Sequence, residues 1–385
     1  MRSVYLDSAA TTQVRPEVIK EMTSVLEDSF GNPSSTHAFG RKAKAYMENA
    51  RKAIAKHLNV TAAEIIFTSG GTEADNLALN SAVRDLGVKR IITSKVEHHA
   101  VLYTVEQLKH CYDIQVDYVA IKPCGQVNLD QLEEMLKQDS PKTLVSLMHI
   151  NNEIGTILPL EKVGQMCKAH GALFHSDTVQ SIGHFDIDLD ALPVDFTAVS
   201  AHKFHGPKGV GFAYVRKNSG LKPLIFGGAQ ERGVRAGTES VHNIVGMQKA
   251  LDLAYEHLEE EKQYIEKLKK DFINALKENV PGVKFNGSCS DFDKSTYTLV
   301  NVCLPVAQEK AVLLLFQLDL NGIACSKGSA CQSGSTKGSH VLSQVLSDED
   351  LEKPSIRFSF SAYNTKEELD YVVDVLKKFV EEHHY

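Results

Sequence analysis

Two short apolar runs each end in a residue able to do chemistry. Val194, Phe196, Ala198 and Val199 form the first, delivering Ser200, His202 and Lys203 at its end. Gly206, Pro207, Gly209 and Gly211 then hold the backbone in a non-helical path just past the lysine. A lysine soon after a buried strand can be held where desolvation favours the neutral amine, which suits Schiff-base chemistry. A strand-end lysine in solvent is the alternative reading of the same residues. The second run, Ala172–Ser176, is followed by Asp177.

A carboxylate at one strand end and a lysine at another can hold pyridoxal phosphate. The lysine forms an imine, and the aspartate pairs with the protonated pyridine nitrogen so that the ring accepts electrons. A third stretch supplies a phosphate cradle: Ser69-Gly70-Gly71-Thr72 is a tight turn opening a helix, with exposed amides and the positive end of the helix dipole behind them. A plain helix cap is the alternative reading of the same residues. His98 and His99 follow a further strand, where one ring can stack on a flat cofactor or stand in a solvated loop. Asn152 follows another strand end and can donate to a ring oxygen.

The elements that must position these groups follow from periodicity. Residues 60–215 read strand, helix, strand, with polar residues gathered after the strands, which predicts a doubly wound, mostly parallel α/β sheet. Pro16 opens a helix over 17–26, and further helices are predicted over 41–58 and 73–86. Strands are predicted over 65–67, 89–97 and 144–150. The stretch 31–40 reads as a turn-rich loop, and the helix over 241–279 breaks near its middle. Beyond it, strands 298–304 and 356–360 alternate with helices 308–319 and 365–381. The division expected is a large domain over 16–254, and a smaller α+β domain made of 1–15 and 255–385.

The chain has 385 residues, 43% hydrophobic and 24% charged, as in ordinary soluble globular proteins. A net charge of −7 gives no nucleic-acid footprint. Neither a signal peptide nor a membrane span is read, so a cytoplasmic protein is expected. The seven cysteines are scattered and lack a CxxC, which argues against a disulfide framework and against a resident metal.

Taken together, YLDSAATT, GNPSSTHAFG, TSGGTEADN, EHHAV, MHINNEIG, HSDTVQS, SAHKFHGPKGVG, ERGVRAGT, SKGSACQSG and SIRFSFS run in family-like order over nearly the whole length. The chain resembles a cysteine desulfurase of the NifS/IscS type, in the class V aminotransferase family of fold type I. The resemblance implies that Lys203 carries the imine, Asp177 pairs with the pyridine nitrogen and His98 stacks on the ring. Asn152 and Gln180 would bond the ring oxygen or its surroundings. Gly71, Thr72, Ser200 and His202 would hold the phosphate, and Thr238 would reach the phosphate of a neighbouring subunit in a homodimer. Arg357 would take the carboxylate of L-cysteine, with Asn152 beside the substrate. Cys331 would be the nucleophile that becomes a persulfide, and at most a transient iron–sulfur ligand. The implied reaction turns L-cysteine into L-alanine and passes sulfur to an acceptor, for iron–sulfur assembly or tRNA thiolation.

Two departures from the family pattern stand out. Cys325 precedes the nucleophile by six positions, either as a packed residue or as a sulfur relay. Ala362 stands where the family often has arginine. A selenocysteine lyase or another class V aminotransferase is the alternative enzyme, and a non-catalytic scaffold the alternative class. Ser326–His340 holds three Gly, five Ser and one Thr, so the segment around Cys331 is expected to be mobile. Lys327 and Lys337 flank the cysteine and favour its thiolate.

Overall fold

A computed structural model of the chain describes residues 3–138, 141–327 and 338–383. Cys331, Lys337 and most of the segment expected to be mobile lie outside the described residues.

Seven strands make the main sheet. They are β2 (Ile65–Thr68), β3 (Arg90–Ser94), β4 (Gln115–Val119), β5 (Thr143–Ser146), β6 (Leu173–Asp177), β7 (Phe196–Ser200) and β8 (Gly211–Val215). Their order is β2-β8-β7-β6-β5-β3-β4. From β7 to β4 all neighbours are parallel, while β8 runs antiparallel to both β7 and β2. β2, β3, β5 and β7 are buried at every position, as strands covered on both faces must be. Gly211 lets β8 approach β7, since a Cβ there would lie 2.1 Å from Val199 O.

Helices cover the sheet. α1 (Pro16–Asp28) begins on its proline, and α2 (Ala38–His57) starts earlier than the periodicity predicts. Its first turn takes the end of the predicted loop because His37 accepts from Gly40 N. Gly40 packs so tightly that a Cβ would lie 2.3 Å from Ser35 O. α3 (Gly71–Arg84) packs on β6, β7 and β8. α4 (His99–Cys111) is capped by the His98 ring, which accepts from Ala100 N. α5 (Leu129–Lys137) and α6 (Leu160–Ala169) complete the crossovers.

α7 (Val241–Glu256) and α8 (Leu258–Asn279) meet at His257, the predicted mid-helix break. β9 (Lys284–Phe285), β10 (Leu299–Cys303) and β12 (Ser355–Ser359) form an antiparallel sheet in the order β12-β10-β9. α8 and α10 (Lys366–His383) pack on each other, and both contribute to the apolar cluster built on that sheet. α9 (Ala311–Leu320) leads to β11 (Ile323–Ala324), which pairs in parallel with β1 (Val4–Tyr5). The chain start continues past β1 to the rim of the main sheet. No helix among the described residues is long and apolar enough to cross a membrane.

Candidate active site

The parallel strands end on one side of the sheet, and their following residues enclose a cavity of about 230 Å³. Of the residues singled out in the sequence, Lys203, Asp177, His98, Gly71, Thr72, Asn152, Gln180, Ser200, His202 and Arg357 all line it. Thr238 does not line it: it is exposed on the loop before α7. Cys331 lies outside the described residues.

Lys203 follows β7 through one turn of 3₁₀ helix, Ala201–Lys203. Its Nζ donates to Ala9 O at 2.6 Å and Ala10 O at 2.8 Å. Gln180 Nε2 donates to the same Ala9 O at 3.0 Å. His202 Nδ1 lies 3.1 Å from Thr11 Oγ1, and its backbone carbonyl accepts from Thr12 N. The chain start is therefore a wall of the site. Burial, with Lys203 beside it, pulls the His202 imidazole down to about 4.

Asp177 closes β6 and accepts from Val179 N at 2.9 Å. Burial pushes its carboxyl up to about 6. A buried carboxylate with one backbone donor has room for a cationic partner on its cavity side. His98 is neutral at ordinary pH, because burial and then Lys203 lower it to about 4.

The cradle is as close as the glycines suggest. Gly70 sits at φ 150°, and a Cβ on Gly71 would meet Val179 Cγ2 at 2.5 Å. Any Cβ on Gly70 would lie 3.4 Å from Ser200 Oγ. The N-terminal turn of α3 thus lies beside Ser200, and the amides of a helix start are suited to an anion. Behind them, Glu73 accepts from Ser69 N and pairs with Arg235 at 2.8 Å. The loop carrying Arg235 and Thr238 is held by Arg51 and Glu231, a buried ion pair at 2.6 Å, with Arg51 over the Phe67 ring.

Arg357, on β12, is 1% exposed. Its Nη1 donates to Asn152 O at 2.7 Å and its Nη2 to Asp7 Oδ1 at 2.9 Å. Its Nε is buried without a hydrogen-bond partner. Cys325 packs half-buried beside Asp7 and Arg357, with burial pushing its thiol up to about 12.

Sequence reasoning missed the carbonyls of Ala9 and Ala10, the Asp7 partner of Arg357, and Asp75, which also lines the cavity. Asp75 had a signal: it stands three and four places after Thr72 and Gly71, on the same helix face. Ala9 and Ala10 act through backbone, which side-chain chemistry does not announce.

A strand-end lysine, a buried carboxylate and a glycine-rich anion cradle on a mostly parallel sheet define a site for pyridoxal phosphate, and these residues fit that group. The chain belongs to the aminotransferase class-V family, which matches residues 4–372, and that family depends on pyridoxal phosphate. It is 43% identical over 382 residues to a Dictyoglomus turgidum protein named cysteine desulfurase IscS, covering 99% of this chain and 95% of that one. A solved NifS-like protein superposes with a TM-score of 0.89 at 37% identity, covering 99% of this chain and all of the other. SspA, solved in complex with cysteine, gives 0.81 at 34% identity, covering 94% of this chain and all of its own.

Proposed function

We propose that this chain is a pyridoxal-phosphate-dependent cysteine desulfurase, which converts L-cysteine to L-alanine and transfers the sulfur through a Cys331 persulfide. What carries this reading is one cavity where an amine, a buried carboxylate and a guanidinium meet, in a chain so similar over its length to a named desulfurase. Bound there, the cofactor supplies a conjugated ring that takes up electrons from the substrate Cα.

The remaining work belongs to the chain. Asp177 would hold a proton on the ring nitrogen, and His98 would stack on the ring. Asn152 and Gln180 would bond the ring oxygen or its surroundings. Gly71, Thr72, Ser200 and His202 would hold the phosphate. Arg357 grips the substrate carboxylate, with Asn152 beside it, and Lys203 carries the proton to and from Cα. The Cys331 thiolate attacks the substrate sulfur, so an S–S bond forms as the Cβ–S bond breaks. The electron pair stays on carbon and is protonated to give alanine.

Thr238 stands exposed on a braced loop, which suits a role at a partner's phosphate in a homodimer. The two largest apolar clusters, one on the seven-stranded sheet and one on the three-stranded sheet, support a large domain over 16–254 and a small one from 1–15 and 255–385. Acceptors in the cytoplasm, an iron–sulfur scaffold or a tRNA-thiolating protein, then take the sulfur.

The test measures alanine and sulfide released from L-cysteine. Lys203→Ala should lose both products. Cys331→Ser should still bind L-cysteine and change the cofactor spectrum, yet release no sulfur. Mixing Lys203→Ala chains with Thr238→Ala chains should restore part of the activity through hybrid dimers. Wild-type turnover in Lys203→Ala or Cys331→Ser would sink the reading, and no recovery on mixing would remove the shared-site dimer.

A further inference from the structure

His175 and Asp177 are two residues apart on β6, so their side chains leave the same face of the sheet. α3 packs on β6, and it brings Asp75 to His175. Asp75 Oδ1 lies 3.2 Å from His175 Nε2. On its other side, His175 Nδ1 lies 2.9 Å from Ser146 Oγ, the β5 residue paired with it in register. Ser146, His175 and Asp75 are all at most 1% exposed. Neither Asp75 Oδ1 nor His175 Nε2 has a hydrogen-bond partner as the side chains stand, so their 3.2 Å approach is a close contact between two unsatisfied buried atoms. The row Ser146–His175–Asp75 ends at the cavity wall, which Asp75 shares with Asp177.

Two carboxyls buried on one wall cannot both ionise freely. The groups facing Asp75 are His175 and Asp177 from β6, Glu97 from the turn after β3, and Lys203 across the cavity. Lys203 points its amine at the Ala9 and Ala10 carbonyls. Burial, then Asp177 and Glu97, push Asp75 well above the usual carboxylate range, and burial lowers His175 to about 3. The hydrogen bonds divide the pair further. Asp177 accepts a backbone N–H, which favours its ionised form, whereas Asp75 faces an imidazole nitrogen able to accept a proton.

We propose that Asp75 is a positioning residue, a neutral carboxylic acid that donates to His175 and thereby reserves the wall's negative charge for Asp177. The chain of donors then reads Asp75 O–H to His175 Nε2 and His175 Nδ1–H to Ser146 Oγ. The proposal rests on Asp177 as the partner of the ring nitrogen, so its test has arms with and without cofactor.

In the apoprotein, infrared spectra of the wild type at pH 7 should contain the carbonyl stretch of a buried acid that Asp75→Asn lacks. Because folded Asp75 keeps a proton that the unfolded chain releases, stability is lost as pH rises from the unfolded value. Asp75→Asn should therefore gain melting temperature over wild type at pH 8 and show a smaller gain at pH 5. In the holoenzyme, Asp177→Asn should displace the pH midpoint of the cofactor absorption band, and Asp75→Asn should leave it in place. An acid band unchanged in intensity in Asp75→Asn, a stability loss at pH 8, or a midpoint shift matching that of Asp177→Asn would overturn the proposal. The band of Glu97, pushed up to about 8 by burial, stays in both proteins and cancels in the difference spectrum. If the apoprotein results hold and Asp177→Asn leaves the midpoint unmoved, the ring-nitrogen reading fails, and the reserved charge fails with it. Should Asp75→Asn not fold, ¹⁵N-histidine spectra of the wild type decide, with Ser146→Ala identifying the His175 ring. An unprotonated Nε2 from pH 6 to 8 supports the donor chain, and an imidazolium overturns it.

Discussion

Arg357 carries its charge into a nearly closed setting and divides its donors between a carbonyl and a carboxylate. A planar guanidinium can make those two bonds and keep its remaining edge in the cavity, while an ammonium cannot. Arg357→Lys should therefore raise KM for L-cysteine about ten- to a hundred-fold, the worth of one charge-assisted hydrogen bond. The kcat should fall less, and steady-state kinetics separates the two effects. A KM equal to wild type would remove Arg357 from substrate binding. Arg357 was legible in the sequence through its motif, and Lys203 and Asp177 through their strand ends. Asp7 was not, because its role depends on a residue 350 positions away, and no local pattern encodes that pairing.

The loop between β8 and α7 is held in an unusual shape. Glu231 and Arg232 both take left-handed backbone angles, φ 46° and 58°, which non-glycine residues resist. What holds them is the Glu231 carboxylate, which accepts from Arg51 twice and from Phe67 N. Breaking a buried ion pair by removing one charge costs about 3–5 kcal/mol. Glu231→Gln should lower the urea midpoint of the apoprotein accordingly, and an unchanged midpoint would refute the bracing role. The glycine-rich character of this loop was plain in the sequence, while its brace was hidden, since Arg51 and Glu231 lie 180 positions apart. Elsewhere the predicted strands 89–97 and 144–150 end early, at Ser94 and Ser146. Their apolar patterns continue because Val96, Leu147 and Met148 line the interior beyond the sheet. Burial there outlasts strand pairing, and hydrophobicity alone could not separate the two.

Across the whole molecule, two sets of buried groups pull stability in opposite directions with pH. Burial holds His98, His149, His202 and His205 down to about 4. Between that value and the ordinary histidine range the unfolded chain binds more protons, so stability rises with pH. Glu97 is pushed up to about 8 by burial and Asp177 to about 6. There the folded chain holds the extra protons, and stability falls as pH rises toward the folded values. The apoprotein should thus be most stable at about pH 6–7, with a steep acid side and a shallow alkaline one. Melting curves from pH 4 to 9 measure this, and a stability still rising from pH 7 to 9 contradicts it. The class of fold was readable from the strand–helix alternation. The antiparallel β8 was not, because strand direction depends on the tight Gly206–Gly209 turn rather than on composition.

The amine of Lys203 rests on Ala9 and Ala10, and Asp7 rests on Arg357 of β12. Residues near 10 and residue 357 therefore meet around Lys203, which is encoded between them. During synthesis the segment around Ala9 emerges before Lys203 exists to dock on it, and Asp7 must wait longer still, until Arg357 has left the ribosome. Such distant pairings are slow to form and leave surfaces uncovered meanwhile. A chain not yet extended past Arg357 lacks one wall of this cavity, so cofactor capture in the full site becomes a late event in synthesis.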